Sequence, residues 1–329
     1  MIITRSPLRL SLGGGGTDLP FFSEKYGGNL TSVAINKYIY ITIHGREFYD
    51  NFLIKYSQTE LAEKVDEISH TRIKAALKYL DITTPLEITT IADVPAGTGL
   101  GSSSSFLVAL LKGLHLFKRE SVSDFQLAEE AAEIEMKILD EPIGKQDQYL
   151  AAFGGLINLE INKSGKVIVS SIDISFEDLK NLEDNLLLFN TQIKHSAKEI
   201  ISEQKESLES DQEKMDQMKV IKDIGAEIKE SLEKGDLQKF GKWMNVHWET
   251  KRKFSNGMTN KKIDDLYELG LKEGAFGGKL VGAGGGGFLL FYCENNKDQL
   301  RGAMNEQGLK ELNFKFDHEG CKVIYAENE

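Results

Sequence analysis

Residues 92–114 read ADVPAGTGLGSSSSFLVALLKGL, and this stretch decides how the rest of the chain is read. Gly97, Gly99 and Gly101 alternate with other residues and lead into four serines at 102–105. Glycine reaches backbone angles closed to other residues and has no side chain to hold a ligand off. The serines offer N-cap hydroxyls and backbone N–H groups. Phe106, Leu110, Gly113, Leu114 and Phe117 then recur at helical spacing, so a helix is predicted to begin near Ser103. The first N–H groups of a helix lack internal partners, and the macrodipole leaves partial positive charge there. A glycine loop running into a helix start is therefore an anion site, most simply for phosphate. A flexible turn with a serine cap is the plainer alternative, but such a turn needs only one or two glycines. The loop is not a Walker P-loop, because Ser102 follows Gly101 where that motif has lysine. Phosphate charge must then be met by the helix dipole, by Mg²⁺ or by a cation from elsewhere.

The chain has 329 residues, enough for two domains. Its 40% hydrophobic and 28% charged residues are ordinary for a soluble globular protein. A net charge of −11 argues against nucleic acid or an anionic membrane as partner. The opening MIITRSPLRLSL lacks an apolar core of signal-peptide length, and no apolar run approaches the ~20 residues of a membrane span. Cys293 and Cys321 form neither a disulfide framework nor a zinc spacing, so the expected location is the cytoplasm.

Along the chain, 2–12 and 30–45 read as strands, 59–80 as a helix, and LEITTIADV as the strand feeding the glycine loop. A helix is expected over 124–140, stopped by Pro142, and then a hairpin from GGLINLEI and KVIVSSIDI around NKSG. NLLLFNT reads as a buried strand opening a second domain. The run 195–270 is helical and highly charged, with Ile221, Ile224, Ile228 and Leu232 as its stripe. GKLVGAGGGGFLLFYC reads as strand, glycine turn, strand; its G-x-G-x-x-G precedes a strand rather than a helix, which rules out a dinucleotide fingerprint. A tight hairpin packed on another glycine loop fits better.

Three further places bear on chemistry. Gly13 to Gly16 precede Asp18 and let a backbone or ligand come close; Asp18 is either a turn-former or an acceptor for polyol hydroxyls. Glu135 has Ala131, Ala132, Ile138 and Leu139 as its helical neighbours, and a carboxylate on an inner face is costly unless paired or bound to metal. It is either a structural ion pair or a ligand for Mg²⁺, which prefers carboxylate oxygen. Asp147 sits in a new helix start beside Lys145, as a dipole partner or as a general base whose pKa Lys145 lowers.

PLRLSLGGGGTD, PAGTGLGSSSS and KLVGAGGGGF, in that order, resemble the three motifs of the GHMP kinases, over about Arg5 to Phe291. The resemblance implies a two-domain α+β fold with ATP and Mg²⁺ in the cleft. Residues 1–182 would be an N-terminal domain like a β-α-β ribosomal-protein domain, and 183–329 a ferredoxin-like C-terminal domain. Pro95, Gly97, Gly99, Leu100, Gly101, Ser102, Ser103 and Ser104 would hold the nucleotide, with Ser103 and Glu135 as Mg²⁺ ligands. Asp147 would face the acceptor hydroxyl, with Arg9 against it or the transferring phosphate. Asp18 would bind the sugar, beside Gly15, Gly16 and Thr17, with Gly284 and Gly285 of the third motif on the same substrate. Gly-Gly-Gly-Thr-Asp stands where galactokinases have Gly-Glu-His-Thr-Asp, which counts against galactose. The first and central stretches are most similar to the heptose kinases. These imply phosphorylation of the anomeric hydroxyl of D-glycero-D-manno-heptose 7-phosphate for nucleotide-activated heptose. A fucokinase-like sugar 1-kinase is the alternative, and a non-catalytic sugar and nucleotide sensor is another, though a sensor needs neither Glu135 nor Asp147. A sugar phosphate needs a basic group of its own, and Lys194, with His195 beside it, is the candidate. The expected partner is this small molecule, with a homodimer possible.

Overall fold

From Ser6 onward the first strand buries every position, as a strand covered on both faces must. In the computed structural model, which describes residues 1–193 and 197–327, this is β1 (Ile2–Gly13), followed by α1 (Pro20–Tyr26) and β2 (Gly28–Gly45). Next come β3 (Phe52–Lys55), β4 (Thr59–Ala62), α2 (Thr71–Tyr79), β5 (Leu86–Ala92) and α3 (Ser102–Phe117). Then follow α4 (Asp124–Glu133), α5 (Gln146–Phe153), the hairpin β6 (Leu156–Ile161) and β7 (Val167–Ser171), and α6 (Phe176–Asn185). The second half holds β8 (Leu186–Asn190), α7 (Ala197–Ser210), α8 (Gln212–Glu233), α9 (Leu237–Lys251) and α10 (Lys261–Lys272). It ends with β9 (Gly277–Leu280), β10 (Phe288–Tyr292), α11 (Lys297–Glu306), β11 (Lys310–Glu311) and β12 (Lys322–Ala326).

Two sheets organise these elements. The first runs β12-β1-β2-β5-β3-β4, with β6 also on β2 and β7 on β6. Besides β1, β2 serves two further neighbours because it is long: its residues 28–33 pair with β6 and 39–45 with β5. The second sheet is antiparallel, in the order β11-β8-β10-β9. The two-domain α+β expectation holds. No described helix is long and apolar enough to cross a membrane.

The expected helix over 59–80 is corrected. Only Thr71–Tyr79 is α-helical; Thr59–Ala62 pairs with β3, which itself lies parallel to β5. Sheet pairing won over the apolar spacing, and Leu61, placed on the inner stripe by that spacing, is 65% exposed. The Glu60 carboxylate accepts from the amides of Ser69 and His70, and the His70 ring accepts from the Ile73 amide, so α2 starts only there. The helix expected over 124–140 divides into α4 and a π turn at Ile134–Ile138. The expected 182/183 boundary lies close to the start of the second sheet at β8. It falls inside α6, and β12 returns to pair with β1, so the first unit recovers the chain's last strand.

α8 packs across β1 and β2, and glycines set how close it comes. A Cβ on Gly13 would lie 2.7 Å from Ile228, and one on Gly225 would lie 2.7 Å from the Asn29 carbonyl oxygen. Met218, Ile221, Ile224 and Ile228 thereby join one core with Leu8, Leu10 and Leu12. Alanine normally stabilises a helix interior over glycine by ~1 kcal/mol. At Gly225 the obstacle is backbone, so Gly225→Ala should instead destabilise by about 1–3 kcal/mol. The midpoint of urea unfolding reads this directly, and a rise would refute the tight approach.

Candidate active site

Between β5 and α3 the chain must turn sharply and leave its amides free. Gly97, Gly99 and Gly101 do this at φ of 76°, 81° and 78°. Gly101 is the N-cap of α3, in the left-handed region. Gly99 also meets the β9–β10 turn: a Cβ there would lie 2.5 Å from the Val281 carbonyl oxygen, and one on Gly282 would lie 2.7 Å from the Gly99 Cα. The third glycine motif is thus a hairpin turn packed on the central one, as its pattern predicted.

The N-terminus of α3 opens on a cavity of about 270 Å³. Gly97, Gly99, Gly101, Ser102, Ser103 and Ser104 line it. Pro95 and Leu100 do not line it: the Pro95 carbonyl accepts from the Thr98 hydroxyl, and Leu100 is buried with its carbonyl on the Arg9 amide.

Glu135 borders the same cavity and is fully buried. The π turn adds a residue to the helical circuit and aims this carboxylate at α3. Ser104 Oγ donates to it at 2.6 Å, Gln148 Nε2 at 2.7 Å and Arg72 Nε at 2.9 Å. The serine on Glu135 is therefore Ser104; Ser103, expected beside Glu135, lines the cavity but is itself exposed. Arg72 also lies 3.6 Å from Glu141. A buried carboxylate with three donors satisfies the demand that buried charge be paired.

Asp147 stands in the first turn of α5. Arg9 binds it in a fork, Nε at 2.7 Å and Nη2 at 2.9 Å, while Nη1 reaches the Gly99 carbonyl at 2.5 Å. Bidentate pairs of this kind fix orientation as well as charge. Lys145 is corrected as the neighbour of Asp147: its ammonium binds Glu129 at 2.7 Å and the Gly165 carbonyl at 3.0 Å. Two residues apart on a helix start, the two side chains point to different faces.

Asp18 lies deeper. It accepts from the Gln146 amide at 3.0 Å, and burial pushes its pKa up. Gly144 must be glycine, since a Cβ there would lie 2.0 Å from the Asp18 carboxylate. Gly15 and Gly16 border the cavity beside it, whereas Thr17 is buried and bonds the Gly14 carbonyl at 2.8 Å. Gly284 and Gly285 turn away from the cavity, onto Met258; the lining residues of that turn are Gly282 and Ala283. Lys194 and His195 lie outside the described residues.

Sequence reasoning missed Arg72, Gln204, Lys251 and Lys279, all of which line the cavity. Gln204, on α7, is buried with its Nε2 unpartnered. Lys251 continues the α9 stripe of Phe240, Met244 and His247, and Lys279 interrupts the apolar strand β9. A charged residue on an inner stripe is the signal that singled out Glu135, and it was present here too.

Models of the family match the chain twice: the GHMP kinases N terminal domain over residues 56–155, and the GHMP kinases C terminal domain over residues 228–310. The chain belongs to the GHMP kinase family and is an ATP-dependent sugar kinase. It is 31% identical to the D-glycero-alpha-D-manno-heptose 7-phosphate kinase of Campylobacter jejuni, over 98% of each chain. A solved D-glycero-D-manno-heptose 1-phosphate kinase from Bacteroides thetaiotaomicron superposes with a TM-score of 0.83 at 27% identity, covering 100% of both chains. The L-fucokinase/L-fucose-1-P guanylyltransferase of Bacteroides fragilis is 24% identical over 90% of this chain and 35% of its own.

Burial holds the Lys251 pKa down to about 8 against the pull of Asp18, with Arg9 adding to the depression. Lys279 and His247 are pushed down beside it. Between about pH 8 and the ordinary lysine value near 10.5 the unfolded chain binds a proton that folded Lys251 has released. In the absence of substrate, stability contributed by this group therefore rises with pH across that window. Lys251→Met should flatten this part of the profile, measured as the difference in unfolding free energy between wild type and variant from pH 7.5 to 10. Parallel profiles would refute the burial of a chargeable amine.

Proposed function

We propose that the chain transfers the γ-phosphoryl group of ATP to the anomeric hydroxyl of D-glycero-D-manno-heptose 7-phosphate, giving the 1,7-bisphosphate and ADP. The observation that carries this reading is Asp147, clamped by Arg9 between the glycine loop and the Asp18 side of one cavity. In such a transfer the sugar oxygen forms a bond to γ-phosphorus as the bond from γ-phosphorus to the β-bridging oxygen breaks. The hydroxyl proton passes to Asp147, and ADP carries off the electron pair. Positioning and charge stabilisation provide most of the rate. The amides at the start of α3 and the Arg9 guanidinium would cradle the phosphates. Asp18 would hold a sugar hydroxyl so that the anomeric oxygen meets Asp147.

Glu135 with Ser104 on it, and Ser103 exposed on the same cavity, is a donor set that fits Mg²⁺, which binds one or two carboxylates and completes its shell with phosphate oxygens and water. These side chains would hold Mg²⁺, whose chemistry there would be to offset the charge of the phosphates. Arg72, on Glu135 in the structure, would hold that carboxylate oriented. Heptose kinase as the reading, rather than fucokinase, is supported by the relative matched over 98% of both chains.

With Mg-ATP, heptose 7-phosphate should release ADP faster than fucose, galactose or other sugars and sugar phosphates in a coupled assay. ATP binding with no turnover of any acceptor would favour a sensor and sink the proposal. Asp147→Asn should lower kcat by ~10²- to 10⁴-fold while the KM for ATP stays within a few-fold. Undiminished turnover would remove Asp147 as base. Glu135→Gln should raise the Mg²⁺ concentration needed for half-maximal rate; an unchanged Mg²⁺ curve would leave Glu135 as the ion-pair partner of Arg72 alone.

A further inference from the structure

The acceptor side of the cavity holds more positive charge than its carboxylates use. Lys251 is 7% exposed and Lys279 2%, and both border the cavity. Among the described residues neither ammonium has a hydrogen-bond partner or a carboxylate within 4.0 Å. The groups that bear on them are Asp18, Arg9 and each other. Arg9 is committed to Asp147, and Asp18 to the Gln146 amide. His247, one helical turn before Lys251, is fully buried with both ring nitrogens unpartnered, and burial with the two lysines keeps it neutral, so it supplies no counter-charge. Buried ammonium groups in this number are costly unless an anion arrives to meet them.

Place says which anion. Lys251 Nζ lies 3.8 Å from where a Gly15 Cβ would stand, in the lobe bounded by Gly15, Gly16 and Asp18. The glycine loop that suits nucleotide phosphates is held instead on the Arg9–Asp147 pair, with the Gly99 carbonyl on Arg9 and Gly101 against Asp147. We propose that Lys251 and Lys279 form a seat for the phosphate that the acceptor already carries, remote from the hydroxyl that is phosphorylated, with Gln204 donating to the sugar beside it. This assignment rests on the sugar-phosphate reading above. It makes the enzyme selective for phosphorylated acceptors, because an unphosphorylated sugar leaves the two buried cations unmet.

The test compares heptose 7-phosphate with the same heptose lacking phosphate, in wild type, Lys251→Met, Lys279→Met and Lys251→Arg. Methionine keeps the packing and removes a buried charge, so melting temperatures should hold or rise. Wild type should prefer the phosphorylated acceptor. Each methionine variant should raise the KM for heptose 7-phosphate roughly 10- to 150-fold. The KM for ATP and the turnover of the unphosphorylated heptose should stay within about threefold, and Lys251→Arg should recover part of the loss. An unchanged KM for heptose 7-phosphate, or a rise in the KM for ATP of similar size, overturns the assignment. If wild type turns over no heptose phosphate at all, the function reading fails, and calorimetric titration with inorganic phosphate separates the two ideas. Phosphate binding lost in both methionine variants still supports the seat, and binding that is absent in wild type or equal in all overturns it.

Discussion

Arg9 is the constraint on which the site depends. Its backbone amide takes the Leu100 carbonyl, its Nη1 takes the Gly99 carbonyl, and its other two nitrogens take Asp147. One side chain from the first strand therefore fixes the glycine loop and the start of α5 relative to each other. The guanidinium is nearly buried, so these charge-assisted bonds are little screened and cannot be exchanged for water without cost. A lysine could meet one of these acceptors but not span all three in a plane.

Glycine does the complementary work of removing obstacles. Gly13 and Gly225 let α8 settle on the first sheet, while Gly99 and Gly282 let the two loops touch backbone to backbone. The two units are joined at these points, and β12 crosses back to β1 as a further tie. The cavity is what remains between them. Its walls carry Arg9, Arg72, Lys251 and Lys279 within a protein whose net charge is −11. Lys251 and Lys279 matter there because buried charges are screened far less than those of the acidic outer surface.

How much of this was legible in the sequence varied with the kind of signal. The glycine loop before α3, the hairpin of the third motif and the hairpin β6–β7 follow from local chemistry that needs no partner. Glu135 was found because its helical neighbours are apolar. Lys251 satisfies the same criterion on α9, but lysine on an amphipathic stripe is usually read as reaching out to solvent, and only burial shows that it does not. Lys145 was paired with Asp147 by proximity in sequence, yet its partner is Glu129, sixteen residues away. The segment 59–70 has helical spacing, but its backbone is claimed by β3 and by the Glu60 carboxylate.

The sequence by itself determined the order of three glycine motifs and the sharp glycine turn into α3, and the resemblance those motifs carry implied the two-domain α+β class. The turn and the helix after it depend on backbone freedom and periodicity, which act over a few residues. The tertiary structure decided which charges meet. Arg9 is 138 residues from Asp147, and Arg72 is 63 from Glu135. Lys251 and Lys279 come from a helix and a strand that pack on each other within the second unit and reach the cavity together. Pairings of that kind are set by desolvation and geometry in the folded cavity, and neither quantity exists along an extended chain.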